Sequence, residues 1–245
     1  MVVVCLPIYP SEYSQRANAP QRSVYDLRNE MELIIYIVRC SMNGLKDIKM
    51  KKYNIIYADP AWKFGSRLAN GNKKNGIVNL KQVKIGDNYT VMNNKEICDL
   101  PIKNMTEDDA VLFLWTTDAH LEEAMKVINA WGFKYKTIGF TWLKKEKSGV
   151  QSCYVGFWTT KCGEICLLAT KGKMSKYLKK RNVRQLVEAT RGRHSEKPNE
   201  VRKRIVEMFG DEIPKVELFA RENFDRWDAW GNEVDNSIDL SEYYT

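Results

Sequence analysis

At 245 residues the chain has room for one sizeable core and a short extension, and its 44% hydrophobic and 11% aromatic content excludes a disordered polymer. The formal net charge of +8 points to an anionic partner, with nucleic acid the first candidate. Six cysteines without a CxxC pair and only two histidines, His120 and His194, argue against a metal site.

The thiols are not arranged as a disulfide framework, which suits a reducing compartment, and Cys162 and Cys166 read as small packing residues. The apolar run Leu33 to Val38 is too short to cross a bilayer, and Met1 to Leu6 lacks the basic start of a secretory signal. A cytoplasmic protein without membrane association is the expectation.

Residues 1–49 differ from the rest and read as an N-terminal extension, helical over Val24 to Cys40 or poorly ordered. From Tyr53 onward, strand and helix signals alternate, the pattern of an α/β sheet. Tyr53 to Ala58 is a β-branched and aromatic run that ends in Asp59-Pro60-Ala61-Trp62. Gly65 to Asp87 is rich in Gly, Asn and Lys and reads as a solvated connection. Ala110 to Trp115 is a buried strand, after which Thr117-Asp118 caps a helix carrying Leu121, Ala124, Met125, Ile128 and Trp131, with Gly132 as its stop.

Strand signals follow at Phe133 to Leu143, Glu164 to Ala169 and Arg184 to Ala189. Lys171 to Arg193 gathers Lys176, Lys179, Lys180, Arg181, Arg184, Arg191 and Arg193, read as a groove for a phosphate backbone. Pro198 opens an amphipathic helix, Asn199 to Phe209, with Val201, Ile205, Val206, Met208 and Phe209 inward, ended by Gly210. Lys215 to Ala220 is expected as the last strand, followed by a loop rich in Trp, Asn and charged residues up to Glu233.

An acid, a proline and a large aromatic at a strand end suit chemistry on an exocyclic amine. Such an amine is a poor nucleophile because its lone pair is delocalised into the ring. A carboxylate at Asp59 would accept one of its hydrogens, the Pro60 carbonyl the other, and Trp62 would offer a stacking face worth roughly 1–3 kcal/mol. Taken alone, Asp-Pro after a strand also reads as a simple turn. Its place at a carboxyl end, where ligands bind in open α/β sheets, raises the functional reading. The segment Glu217 to Glu233 suits a nucleoside cofactor, or equally a tryptophan-rich cap on the core. Lys197 is placed to reach an anionic cofactor group, and His194 is either a base or a structural residue.

Six blocks occur in one order over residues 50–235: Asp59-Pro60-Ala61-Trp62, Asp87 to Met92, Leu112 to Thr116, Trp142 to Lys144, His194 to Pro198, and Glu217 to Arg221 through Trp230-Gly231-Asn232. In this combination the chain resembles the MT-A-type family of S-adenosylmethionine-dependent N6-adenine methyltransferases. That family includes the catalytic subunit of the messenger-RNA writer and bacterial and phage DNA enzymes. Ala61 departs from its usual second proline.

The resemblance implies a Rossmann-like class I methyltransferase fold in permuted order, with the catalytic motif preceding the cofactor-nucleoside loop. It implies a domain over 50–235 with a C-terminal tail over 236–245. It makes Asp59, Pro60, Ala61 and Trp62 the catalytic motif and puts Tyr89, Trp115, Trp142 and Lys144 around the target base. Lys197, Phe219, Arg221, Asn223, Asn232 and Glu233 would hold S-adenosyl-L-methionine. The implied activity is methyl transfer to N6 of adenine in nucleic acid, DNA being favoured over RNA by the compact size. An RNA enzyme and a catalytically silent nucleic-acid-binding subunit are the alternatives, and a homodimer or a partner subunit stays open.

Overall fold

The computed structural model describes residues 50–62, 92–156, 158–193 and 196–244. Expectations for residues 1–49, the Gly65 to Asp87 connection, Tyr89 and His194 lie outside the described residues.

Nine strands are described: β1 (Tyr53–Ala58), β2 (Thr106–Thr116), β3 (Lys134–Lys145), β4 (Tyr154–Val155), β5 (Thr160–Lys161), β6 (Gly163–Lys171), β7 (Leu186–Thr190), β8 (Lys215–Leu218) and β9 (Asp228–Trp230). Three α-helices join them: α1 (Asn94–Cys98), α2 (Leu121–Ala130) and α3 (Asn199–Phe209). Seven strands form one sheet in the order β7-β3-β6-β2-β1-β8-β9, while β4 and β5 make a separate hairpin. All pairings in the sheet are parallel except those of β6, which runs against both β2 and β3. This mixed α/β arrangement is the Rossmann-like fold that the resemblance implies, and the chain order is compatible with permutation.

Alternation along the central strands builds two apolar layers, because successive side chains point to opposite faces. Ile56, Ala58, Leu112 and Leu114 join one cluster with Ile97 of α1 and Ala124, Val127 and Ile128 of α2. Ile55, Tyr57, Val111, Phe113 and Trp115 join the other with Val201, Ile205 and Phe209 of α3. Trp131, just past α2, donates its ring N–H to the Ile97 carbonyl at 2.9 Å and so links the first two helices.

Several expectations need correction. Thr117 caps no helix with its side chain; a 3-10 turn over Asp118–His120 comes first and α2 begins at Leu121. The hydroxyl of Thr117 is 2.9 Å from His120 Nδ1. Lys215–Leu218 is not the last strand, since Asp228–Trp230 adds a parallel edge beside it. Residues 236–244, expected as a tail, are tied to the core: Leu240 and Tyr243 are buried, and Tyr243 Oη donates to the Lys51 carbonyl at 2.7 Å. Cys166 is buried as expected, whereas Cys162 is half-buried beside the exposed Cys153 thiol at the base of the hairpin.

The helix Asn199–Phe209 has the expected limits, but the residue it buries unexpectedly is Arg202. Its guanidinium meets both oxygens of Glu217, at 2.5 and 2.6 Å, and bonds Asn199 Oδ1 at 2.6 Å. The two side chains are 10% and 8% exposed, so removing one leaves a buried charge uncompensated. Glu217→Ala should therefore lower the unfolding free energy by about 3–5 kcal/mol, measured by denaturant titration.

Gly231 is required by a backbone neighbour. A Cβ there would stand 2.1 Å from the Ala220 carbonyl oxygen, while Ala220 N–H donates to the Trp230 carbonyl at 2.9 Å. Gly231→Ala should force the loops after β8 and β9 apart and cost roughly 1–3 kcal/mol, read as a lowered thermal midpoint.

Candidate active site

Chain order reverses at β1. The strands that follow it in sequence extend the sheet through β2, whereas the late strands β8 and β9 extend it on the other side. In such sheets the loops leaving adjacent strands diverge at this point and open a crevice beyond their carboxyl ends. A cavity of 490 Å³ lies there, lined by Asp59 to Trp62 after β1, Phe219 to Arg221 after β8, and Trp230 to Glu233 at β9. Met92, Leu100, Thr116, Thr117, Glu164 and Lys197 complete the wall.

Asp59 keeps 23% of its side chain exposed and accepts a 2.6 Å hydrogen bond from Lys197 Nζ at Oδ2. Lys197 Nζ is also 3.3 Å from Glu164 Oε2, and Glu164 Oε1 receives Lys144. Two carboxylates and two ammonium groups thus alternate along one chain of contacts. Burial pushes the Asp59 carboxyl above its ordinary value; Lys197 opposes this and Glu164 adds to it. Burial works against the charge on Lys197 too, but Asp59 and Glu164 together outweigh it and hold the ammonium pKa up. For Glu164, burial is outweighed by the two lysines and the carboxyl is held low. Glu164 is therefore the firmly ionised acid of the group, and Asp59 the one held nearer to protonation.

Trp62 forms part of the wall and is only 6% exposed. Its ring N–H donates to the Trp115 carbonyl at 3.1 Å, and one face stacks on His120 at 5.9 Å between centroids, 18° from parallel. The Trp62 backbone N–H donates to the Pro60 carbonyl at 2.8 Å, and Met92 N–H donates to the Ala61 carbonyl at 3.2 Å. These bonds hold the acid-Pro-Ala-Trp segment in a tight bend at the strand end.

The structure brings together all four residues of that segment with Lys197, Phe219, Arg221, Asn232 and Glu233. Phe219 has a positive φ of 62°, which turns the chain sharply after β8, and its ring meets Trp230 edge-on at 5.4 Å. Arg221 Nε is 3.6 Å from Glu233 Oε1 across the rim.

Other expected residues stand elsewhere. Asn223 is exposed and off the wall, because Phe224 packs 3.9 Å from the Arg202 guanidinium and draws the loop to the far side of β8. Trp115 and Trp142 are 0% and 3% exposed and belong to the core instead of the wall. Trp115 donates its ring N–H to Tyr57 Oη at 2.7 Å and lies 5.6 Å beneath Lys197 Nζ. Lys144 also lies off the wall, joined to it only through Glu164. Gly231 serves its backbone neighbour before any ligand.

Sequence reasoning missed Glu164 and His120. Glu164 reaches this edge because β6 is antiparallel and starts where its neighbours end, a direction no local signal encodes. The basic segment Lys171 to Arg193 is largely compensated by acids: Lys176 pairs with Asp109, Lys179 with Glu212, Lys180 with Glu207, Arg191 with Glu146 and Arg193 with Glu222. That weakens its reading as a phosphate groove.

Comparison with known proteins adds an independent line. The family model described as MT-A70 matches residues 53–233. The chain is 37% identical over 201 residues to the Type II methyltransferase M.MunI of a Mycoplasma species, covering 78% of this chain and 82% of that protein. It is 23% identical over 202 residues to the N(6)-adenosine-methyltransferase MT-A70-like protein of Drosophila melanogaster, covering 81% of this chain and 29% of that protein. A probable N(6)-adenosine-methyltransferase MT-A70-like protein of Oryza sativa subsp. japonica is also 23% identical, with 80% and 25% covered. With a family match that runs from the first residue of β1 to the far wall of the cavity, this chain belongs to the MT-A70 family.

Proposed function

We infer that this chain transfers a methyl group from S-adenosylmethionine to N6 of adenine in nucleic acid, and that the polymer is DNA. The observation that carries this reading is the shared cavity. It joins the acid-Pro-Ala-Trp segment after β1 to the loops after β8 and β9, which are about 160 residues away in sequence.

The residues present fit such a cofactor. S-adenosylmethionine carries a sulfonium, an ammonium and a carboxylate, so its net charge is positive. Three carboxylates (Asp59, Glu164, Glu233) against two cations (Lys197, Arg221) complement that charge. The cavity volume of 490 Å³ falls within the roughly 300–1,000 Å³ usual for small-molecule sites. Asn232 and Glu233 would bond the ribose, Phe219 and Trp230 would cover the adenine ring, and Lys197 would reach the carboxylate by exchanging one of its present acidic partners. When bound, the cofactor supplies an electrophilic methyl on sulfur.

The rest falls to this chain's own groups. Lys197 occupies Oδ2 of Asp59, leaving Oδ1 to accept one hydrogen of the amine. The Pro60 carbonyl already accepts from Trp62 and has a second lone pair for the other hydrogen. Both contacts favour the tetrahedral nitrogen whose lone pair attacks. Trp62, backed on one face by His120, would form the wall against which the base lies. Extruding the adenine from a duplex would cost a few kcal/mol, which stacking and the two amine contacts offset. DNA is supported by the relative whose length this chain matches, a Type II methyltransferase, whereas the adenosine enzymes match over less than a third of theirs.

Labelled methyl transfer to matched DNA and RNA oligonucleotides, followed by nucleoside analysis, tests the reading. N6-methyladenine should appear in DNA. Product on RNA alone would overturn the polymer, and product on neither would overturn the reaction. Asp59→Ala should reduce kcat by roughly 10²–10⁴-fold while calorimetry still shows cofactor binding.

The acid limb of the pH profile follows from the raised pKa of Asp59. The carboxylate must be charged to accept the amine hydrogen, so activity is lost as pH falls through that raised value. The limb should thus begin above the 3.8 of an ordinary aspartate. A profile of kcat/KM that stays flat down to that value would contradict the assignment.

A further inference from the structure

The β4–β5 hairpin is the most exposed apolar feature among the described residues. Trp158 is 96% exposed and Val155 83%, whereas every other described tryptophan is buried or half-buried. An indole left in water next to a second apolar side chain marks a contact surface. Beside it, Gly156 N–H donates to the Thr159 carbonyl at 3.2 Å, and a Cβ on Gly156 would lie 2.6 Å from that oxygen.

The hairpin is tied at two points to residues that neighbour the cavity wall. Lys161 pairs with Asp118 at 2.6 Å, in the turn whose His120 stacks on Trp62. Tyr154 lies 5.5 Å from Lys144 Nζ, and Lys144 leads through Glu164 and Lys197 to Asp59. The segment Lys144 to Cys162 contains four lysines and one glutamate, and three of those lysines are paired: Lys144 with Glu164, Lys145 with Glu188 and Lys161 with Asp118.

We propose that this hairpin is the arm that engages the polymer beside the target adenine, with Trp158 stacking on a base next to it. The proposal rests on the reading that adenine enters the adjoining cavity. Withdrawing a base from its stack uncovers the faces of its neighbours, and the exposed indole of this hairpin would cover one of them. A chain that carries +8 favours a polyanion over a second copy of itself at this surface. An exposed aromatic face is the platform on which single-stranded nucleic-acid bases stack.

The test compares wild type, Trp158→Ala and Trp158→Phe on one DNA substrate, by fluorescence anisotropy of the labelled oligonucleotide and by methyl-transfer kinetics. Trp158→Ala should weaken DNA binding and raise KM for DNA roughly ten-fold, and Trp158→Phe should recover most of the loss. The change in kcat should stay below about two-fold, since the arm touches no reacting atom. Equal DNA affinity for wild type and Trp158→Ala overturns the proposal. So does a fall in kcat at unchanged KM, or a wild-type dimer that Trp158→Ala turns into a monomer in light scattering. If wild type makes no N6-methyladenine on any polymer, the underlying reaction fails. The anisotropy series then still decides separately whether the hairpin contacts nucleic acid.

Discussion

Parallel pairing of β1 with β2 on one side and β8 on the other organises this molecule. Ile55 to Ala58 are in register with Val111 to Leu114 and with Lys215 to Leu218, so three strand ends arrive at one edge together. Backbone hydrogen bonds in a strand buried on both faces have no water to fall back on, which leaves the register little freedom. The acid at the end of β1 and the turn at Phe219 are therefore held in fixed relation. The segment after β1 and the loops after β8 and β9 share one cavity because these distant stretches are neighbours in a sheet.

At that edge the charges are arranged to hold one carboxylate in tension. Burial disfavours the charge on Asp59, Lys197 supports it, and Glu164 competes for the same lysine. Lys144 helps to keep Glu164 ionised from behind. Positions usually described one at a time thus form a single coupled unit, and a ligand that draws Lys197 away would alter the charge balance at Asp59. A cofactor carboxylate reaching Lys197 and an amine reaching Asp59 would each change what the other meets. Burial of the Arg202–Glu217 pair on the opposite face has a different consequence: it ties α3 to β8 just before the chain turns into the cavity wall.

Much of this was legible in the residues themselves. Periodicity located β1, the central part of β2, α2 and the whole of α3, because each spans enough residues for one apolar face to show. The acid-Pro-Ala-Trp segment was recognisable since its chemistry is contiguous. Less visible were elements stabilised only by neighbours: β9 is three residues long, and its ladder partner β8 makes it a strand. Asn223 was misplaced because the packing of Phe224 on Arg202, across the sheet, sets the course of that loop. The family resemblance implies Trp115 and Trp142 on the wall, yet alternation along their strands turns both inward.

By itself the sequence determined which groups this protein has for its chemistry: an acid followed by a proline at a strand end, a lysine before a helix, and a wall of aromatic and amide residues near the end of the domain. Local covalent order suffices for that, because these groups act over a few neighbouring residues. Tertiary structure decided which of them meet. Glu164 enters the site because one strand runs backwards, Lys197 is bound to Asp59 although 138 residues separate them, and Trp158 stands in water on a hairpin paired to Asp118. Strand direction and pairing depend on the free energy of the whole sheet, which no short stretch of sequence contains.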